Sequence, residues 1–379
     1  MKKMLALPMI LVWALTGCGG GSSFSILSTG ETFQQLSNVQ NTKVDVLWVI
    51  DNSGSMQSSQ NNLAANFPSF INTFSAKGYD YKMAVTATDS YLSLPAWTSF
   101  YNQIPTPSYY EGLPQINKGK FRDGVGTTHS GVFVIQPNTP DLNNVFMTNV
   151  KQGVNGHGDE RSFQSFKAAL DNPLNAGFVR DGGFLAIILV TDEDDFSHDG
   201  TAYLNGQYTN PALHTTDSYV SYLNGLTSSS GATRRFSVNT ISINDQACLN
   251  QLFNGAQRIG TRVGALADAT NGKKASLCAD FSTELSDLAR DIVKLSTQFY
   301  LKTKPLVSTI RVVVNGNVVP SAMMPNPADP TGPWIDDPNY DGGWTYDSAA
   351  NSIIFNGDSY IPPQGATINV SFDPDGLSF

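Results

Sequence analysis

The apolar positions of this chain fall into two textures that change near residue 298. In the first, compact hydrophobic runs alternate with segments of helical period. Residues 44–50 (VDVLWVI) are a nearly continuous run of Val, Leu, Ile and Trp, which suits a strand covered on both faces. Residues 58–76 place Leu63, Phe67, Phe70, Ile71 and Phe74 mostly at helical spacing, and Gly78 closes that pattern. Pro68 inside it predicts a kink or a late start. Asp80–Ala87 alternates and then turns apolar, a second strand that a βαβ unit sets parallel to the first. Residues 131–136, 184–190, 235–243 and 275–278 predict further strands. Residues 141–150, 160–170, 218–226, 258–270 and 281–295 predict helices. Strands alternating with helices give an α/β class with a doubly wound, mostly parallel sheet. The second texture is short alternating strands punctuated by Asn315-Gly316 and Asn356-Gly357, which predicts a small β-sandwich module.

Residues 88–130 break the rhythm. This long stretch has little periodicity and carries Tyr91, Trp97, Phe100, Tyr101, Tyr109 and Tyr110. It leaves the second strand at the same edge as the end of the first, so it either rims whatever lies there or covers a sheet edge.

The chain has 379 residues, enough for two domains. It is 40% hydrophobic and only 15% charged, with a formal charge of −9. Lys2 and Lys3 lie in a segment expected to be removed; without them 21 basic residues face 32 acidic ones, a charge of −11. The few Lys and Arg are scattered, which excludes a nucleic-acid footprint. Met1-Lys2-Lys3 followed by a short apolar run to Leu15 predicts a signal peptide over residues 1–17. Leu15-Thr16-Gly17-Cys18 looks like the bacterial lipobox, which implies cleavage before Cys18 and acylation of its thiol. Residues 18–41 then read as the lipidated cysteine and a tether. Gly19 stands where an Asp often retains lipoproteins at the inner membrane. The expected location is therefore the bacterial cell envelope, lipid-anchored in the outer membrane. Cys248 and Cys278 are left as an even pair, which predicts a disulfide in an oxidising compartment.

The candidate chemistry sits where residues 44–50 stop. Asp51, Ser53 and Ser55 form D-x-S-x-S at the carboxyl end of a central strand, where open α/β sheets place ligands. Alternate residues of a tight turn can aim three hard oxygens at one point, which suits Mg²⁺, Mn²⁺ or Ca²⁺. The plainer use of Asp51 is to cap the following helix.

With its buried strand before and helix after, this stretch resembles the metal-ion-dependent adhesion motif of the von Willebrand factor type A family. The resemblance spans residues 42–297, with residues 298–379 as the separate β module. It implies that residues 131–136 form an antiparallel edge strand. It also implies that Asp192, after the run Phe184–Val190, joins the metal shell directly or through water. The family's glycine after that Asp is Glu193 here, and Asp194 is a further acid of the same run. The family's Thr ligand is missing. His157 aligns near its place, and Glu160 sits three residues on; either Glu160 supplies the missing oxygen directly or water does. An extra carboxylate favours Ca²⁺. His157 and His198 read as loop residues. Asp329, Asp336, Asp337 and Asp341 lack the spacing of a Ca²⁺ loop and read as a polar excursion.

The resemblance implies a non-enzymatic adhesion or scaffold lipoprotein. Its partner would be a protein or other carboxylate-bearing ligand that completes the cation's shell, and the membrane would be reached through the N-terminal lipid. Two alternatives use the same residues. One is a metal-assisted hydrolase, against which stand the lack of H-E-x-x-H, of a nucleophile elbow and of any ligand spacing among His129, His157, His198 and His214. The other is a structural envelope lipoprotein.

Overall fold

The computed structural model describes residues 29–34, 43–97, 119–229, 233–253, 255, 257–330, 332–340 and 342–375. Cys18, the segment 1–17 and the aromatic stretch 98–118 lie outside the described residues. In chain order the first part comprises β1 (Thr29–Gln34), β2 (Lys43–Ile50), α1 (Gln57–Lys77), β3 (Asp80–Ala87), β4 (Gly124–Val125), β5 (Thr128–His129) and β6 (Val134–Ile135). Then come α2 (Leu142–Val150), α3 (Ser162–Asp171), β7 (Phe184–Val190), α4 (Thr216–Leu226), β8 (Phe236–Ser242), α5 (Gln246–Leu252), α6 (Thr261–Ala269), β9 (Lys274–Ser276) and α7 (Phe281–Ser296). The remainder is β10 (Phe299–Tyr300), β11 (Arg311–Val314), β12 (Asn317–Val319), β13 (Met323–Met324), β14 (Ile335–Asp336), β15 (Gly343–Asp347), β16 (Ser352–Asn356) and β17 (Thr367–Phe372).

Six strands form one sheet in the order β6-β3-β2-β7-β8-β9. All neighbours pair in parallel except β6, which lies antiparallel on the edge against β3. The central strand β2 alternates its side chains between two cores. Val44, Val46, Trp48 and Ile50 pack with Leu63, Phe67, Phe70 and Phe74 of α1, with α7 and with Phe146 of α2. Leu47 and Val49 pack on the other face with Phe163 and Phe166 of α3, Leu223 of α4 and Leu266 of α6. Helices on both faces explain why β2 and β7 read as continuous apolar runs. Pro68 sits inside α1 without ending it, so the helix starts at Gln57 rather than late. Gly78 ends it with a φ of 68°, a backbone conformation that glycine adopts without Cβ strain.

The chain winds outward from β2 to β3, then returns to the other side of β2 for β7 and β8. The sheet therefore reverses direction between β2 and β7, and the carboxyl ends of those strands lie side by side, with Ile50 opposite Val190. This is the switch point at which open α/β sheets hold ligands.

The second region consists of small antiparallel sheets: β1-β17-β11-β12, β10-β16-β15 and the pair β13-β14. Val312, Ile368, Val370, Ile353, Phe355 and Trp344 bury against one another and join the α1–α7 side of the main core. The stretch expected to be tether contains a strand. Residues 29–34 pair with 372–367 of β17 over six positions. TGETFQ has one large apolar residue and no usable alternation, so its order comes from the long-range ladder rather than from a local pattern. The β module thus takes a strand from each end of the chain. The loop expected after residue 243 also contains a helix, α5, whose first turn Asp245 caps by accepting from the Cys248 N–H at 2.8 Å. Cys248 on that helix is disulfide-bonded to Cys278, with Cα atoms 5.6 Å apart.

Candidate cation site at the sheet switch point

The ladder of β2 runs one residue past the strand, because the Asp51 N–H donates to the Val190 carbonyl at 2.9 Å. This fixes Asp51 beside β7 and aims its carboxylate into the space beyond both strand ends. There its Oδ1 accepts from the Ser53 N–H and its Oδ2 from the Thr191 hydroxyl, both at 2.8 Å. The turn 51–56 brings the Ser53 and Ser55 hydroxyls within 3.2 Å of each other. Gln60, one turn into α1, donates to the carbonyls of Asp51 and Gly153, each at 2.8 Å, and so ties the turn to the loop before α3. Gly156 closes on the same turn. Its N–H donates to the Asn52 carbonyl at 2.8 Å, and a Cβ there would come 2.2 Å from the Asn52 side chain, so any side chain at 156 would displace Asn52.

That loop delivers Glu160, which is 1% exposed. Neither of its carboxylate oxygens has a hydrogen-bond partner. The Thr88 hydroxyl, at the end of β3, faces Glu160 and eases its charge without making a formed hydrogen bond. Asp192 follows β7 and accepts from the Gln257 amide at 3.1 Å through Oδ2, while its buried Oδ1 has no partner. Ser55 also lies against Asp192. Glu193 accepts from Asn205 at 2.6 Å.

Burial shifts all four acids upward, and repulsion from neighbouring acids adds to it at Asp51, Glu160 and Glu193. Burial first, then the charge of Asp192, pushes Asp51 to about 6. Burial, then Asp51 and Glu193, holds Glu160 well above the usual carboxylate range. Burial, then Asp51, pushes Glu193 to about 8. Asp192 is raised by burial and partly relieved by Ser55 and Gln257. Among the described residues, none of the four forms an ion pair.

The structure brings Asp51, Ser53, Ser55, Glu160 and Asp192 together at one strand edge. It does not bring in His157, whose ring bonds the Tyr91 hydroxyl at 2.9 Å and packs on Trp97. Nor does it bring in His198, which is buried with Nδ1 on the Phe196 carbonyl at 2.9 Å rather than sitting in an open loop. All four side chains of the acid run 192–195 are buried, and they divide by task. Asp194 accepts from the Arg262 and Val263 N–H groups at the start of α6. Asp195 accepts from the Phe163 N–H at the start of α3 and from Ser197. Both are helix-end acceptors. Thr88, Gln257 and Asn205 escaped the sequence reading because no local pattern marks them. They arrive from the ends of β3, the loop after α5 and the loop after β7.

Oxygen donors that are buried, unpaired and hard are what a small divalent cation would satisfy, so the residues fit such an ion. Among the described residues, no three His, Cys, Asp or Glu side chains converge on one point as a ready-made ligand set. The set here is mixed, with Ser53 and Ser55 hydroxyls facing carboxylates. Among the described residues no helix is long and apolar enough to cross a membrane.

No protein-family model matches the chain, and no curated protein matches it in sequence. Among solved structures it is similar to the pilus adhesin SpaC of Lactobacillus rhamnosus GG, at 12% identity and a TM-score of 0.37, covering 91% of this chain and 41% of SpaC. It is also similar to the adhesive tip pilin GBS104 of Group B Streptococcus agalactiae, at 11% identity and a TM-score of 0.31, covering 93% of this chain and 81% of that one. A third is the proximal thread matrix protein 1 of the mussel byssus, at 13% identity and a TM-score of 0.33, covering 70% and 51%. The chain thus spans about two fifths of SpaC. Similarity at this level assigns no residue, ligand or activity.

Proposed function

We propose that the protein is an adhesion or scaffold protein of the von Willebrand factor type A kind that captures its ligand through one divalent cation. The observation that carries this reading is the orphaned oxygen set: both oxygens of Glu160 and Oδ1 of Asp192, buried and unpaired beside Asp51. Four acids crowd there with no ion pair among the described residues, an arrangement that costs stability unless protons or a cation join it. Asp51, Ser53 and Ser55 would hold the ion, with Asp192 and Glu160 completing its protein shell. Mg²⁺, Mn²⁺ and Ca²⁺ all suit such oxygens. When bound, the ion supplies a Lewis-acidic point of attachment for a carboxylate or other hard oxygen of a partner. No nucleophile or general base is needed for that role. Calorimetry on the mature chain should find saturable binding of at least one of the three ions, abolished in Asp51→Ala with the fold intact. Wild-type protein that binds none of them would sink the reading.

The anchoring belongs to the same proposal. A lipid on Cys18 would hold the chain at the outer membrane of a bacterial envelope. Cys18→Ser should move the protein from the membrane to the soluble fraction, and wild-type chain without acyl mass on Cys18 would refute it.

A further inference from the structure

Arg161 is fully buried, and it lies one residue from Glu160. All five of its N–H donors are used. Nε and Nη2 donate to Asp159 Oδ2 at 2.8 and 2.6 Å. Nη1 donates to the carbonyls of His198 and Gly200 at 2.9 and 2.8 Å, and Nη2 to that of Ala202 at 2.9 Å. His198, whose Nδ1 faces the Phe196 carbonyl, brings its Nε2 to 3.3 Å from Arg161 Nη2, whose two hydrogens are already placed on Asp159 and Ala202. The rings of Tyr91 and Trp97 flank the guanidinium at 4.9 and 5.1 Å.

These contacts join three segments that share no sheet. One is the 157–161 loop that carries Glu160. Another is the 198–202 loop, three of whose carbonyls point at one cation instead of at a ladder. The third is the turn after β3 that carries Tyr91 and Trp97. The 198–202 loop continues directly into Tyr203, whose hydroxyl donates to the Gly158 carbonyl at 3.2 Å, and Asn205, which donates to Glu193. The charge answers buried Asp159, but the three carbonyls it also gathers need none. A buried guanidinium with every donor placed is costly unless its geometry matters.

We infer that Arg161 is a positioning residue for the cation site: it locks the Glu160 loop and the Asn205–Glu193 loop in one arrangement without touching the ion. This rests on the cation reading above. Lysine keeps the charge but has three tetrahedral donors and cannot serve Asp159 and three carbonyls at once. Groups that orient metal ligands typically change metal affinity by about tenfold to a hundredfold when altered.

The test measures Ca²⁺, Mg²⁺ and Mn²⁺ affinity of the full mature chain well below its melting temperature, alongside the melting temperature itself. Arg161→Lys and the neutral pair Asp159→Asn/Arg161→Gln should stay folded and lose roughly tenfold or more in affinity, with the lysine variant the milder. A merely structural arginine would lower the melting temperature and leave affinity of the folded chain unchanged, which overturns the inference. Hydrogen exchange on wild-type protein needs no variant. Cation addition should slow exchange over 198–205 as well as over 51–56, and protection confined to 51–56 overturns it too. Wild-type protein that binds no cation would sink the earlier reading instead.

Discussion

The two ends of the central sheet both bury carboxylates, and Asp45 at one end and the four candidate-site acids at the other are treated in opposite ways. At the amino end, Asp45 is 1% exposed, and Arg180 meets it twice, through Nε at 2.7 Å and its backbone N–H at 2.8 Å. The same guanidinium reaches Asp80 at 2.7 Å and the Asp80 carbonyl at 3.0 Å. Burial raises Asp45, and Arg180 pulls it back. At the carboxyl end, Asp51, Glu160, Asp192 and Glu193 are as deeply buried, and among the described residues none of them forms an ion pair; the Arg258 charge only partly offsets the burial of Glu193. A buried acid with its cation built in is architecture; buried acids without an ion pair are a candidate site.

The largest effect should come from breaking the closed end. Arg180→Met leaves Asp45 buried without its partner and should cost about 3–5 kcal/mol. Its neighbour Asp80 is 39% exposed at its side chain and will rehydrate, so the loss falls mainly on Asp45. Denaturant unfolding of the metal-free protein measures this directly. A loss below about 1 kcal/mol would place Arg180 with the exposed ion pairs and erase the contrast.

The parallel core was legible in the chain because its strands are covered on both sides. Residues 44–50, 80–87 and 184–190 read as strands from composition alone, and D-x-S-x-S stood where the first of them stopped. Three things were not legible. Strand β1 has almost no local signal, since its place is set by a ladder more than three hundred residues away. The acid run 192–195 looked uniform, yet Asp194 and Asp195 serve helix starts while Asp192 and Glu193 face the site. Only tertiary neighbours separate them. Arg161 was silent for the same reason: a single arginine in a loop gives no hint that three carbonyls will turn toward it.

The open end predicts a smaller effect with the opposite sign. Its acids titrate higher in the folded chain than in the unfolded one, where Asp and Glu lose their protons near pH 4. The folded metal-free protein therefore holds protons that the unfolded chain has released. Such a group adds stability that is complete below pH 4 and is lost as pH rises through its folded value. With Asp51 at about 6 and Glu193 at about 8, metal-free stability should fall from pH 4.5 to pH 8.5, whereas saturating cation should flatten the profile. Glu160→Gln removes one of the four charges and keeps the shape. At pH 8 the metal-free variant should be more stable than wild type by on the order of 1 kcal/mol, and at pH 4.5 the two should coincide, because both side chains are then neutral. The same change should weaken cation binding at least about tenfold. A variant that gains stability without its ion and loses affinity for it separates a site from a scaffold. If Glu160→Gln destabilises the metal-free chain at pH 8 as Arg180→Met does, the carboxyl end is held together by pairs like those at Asp45, and the difference between the two ends disappears.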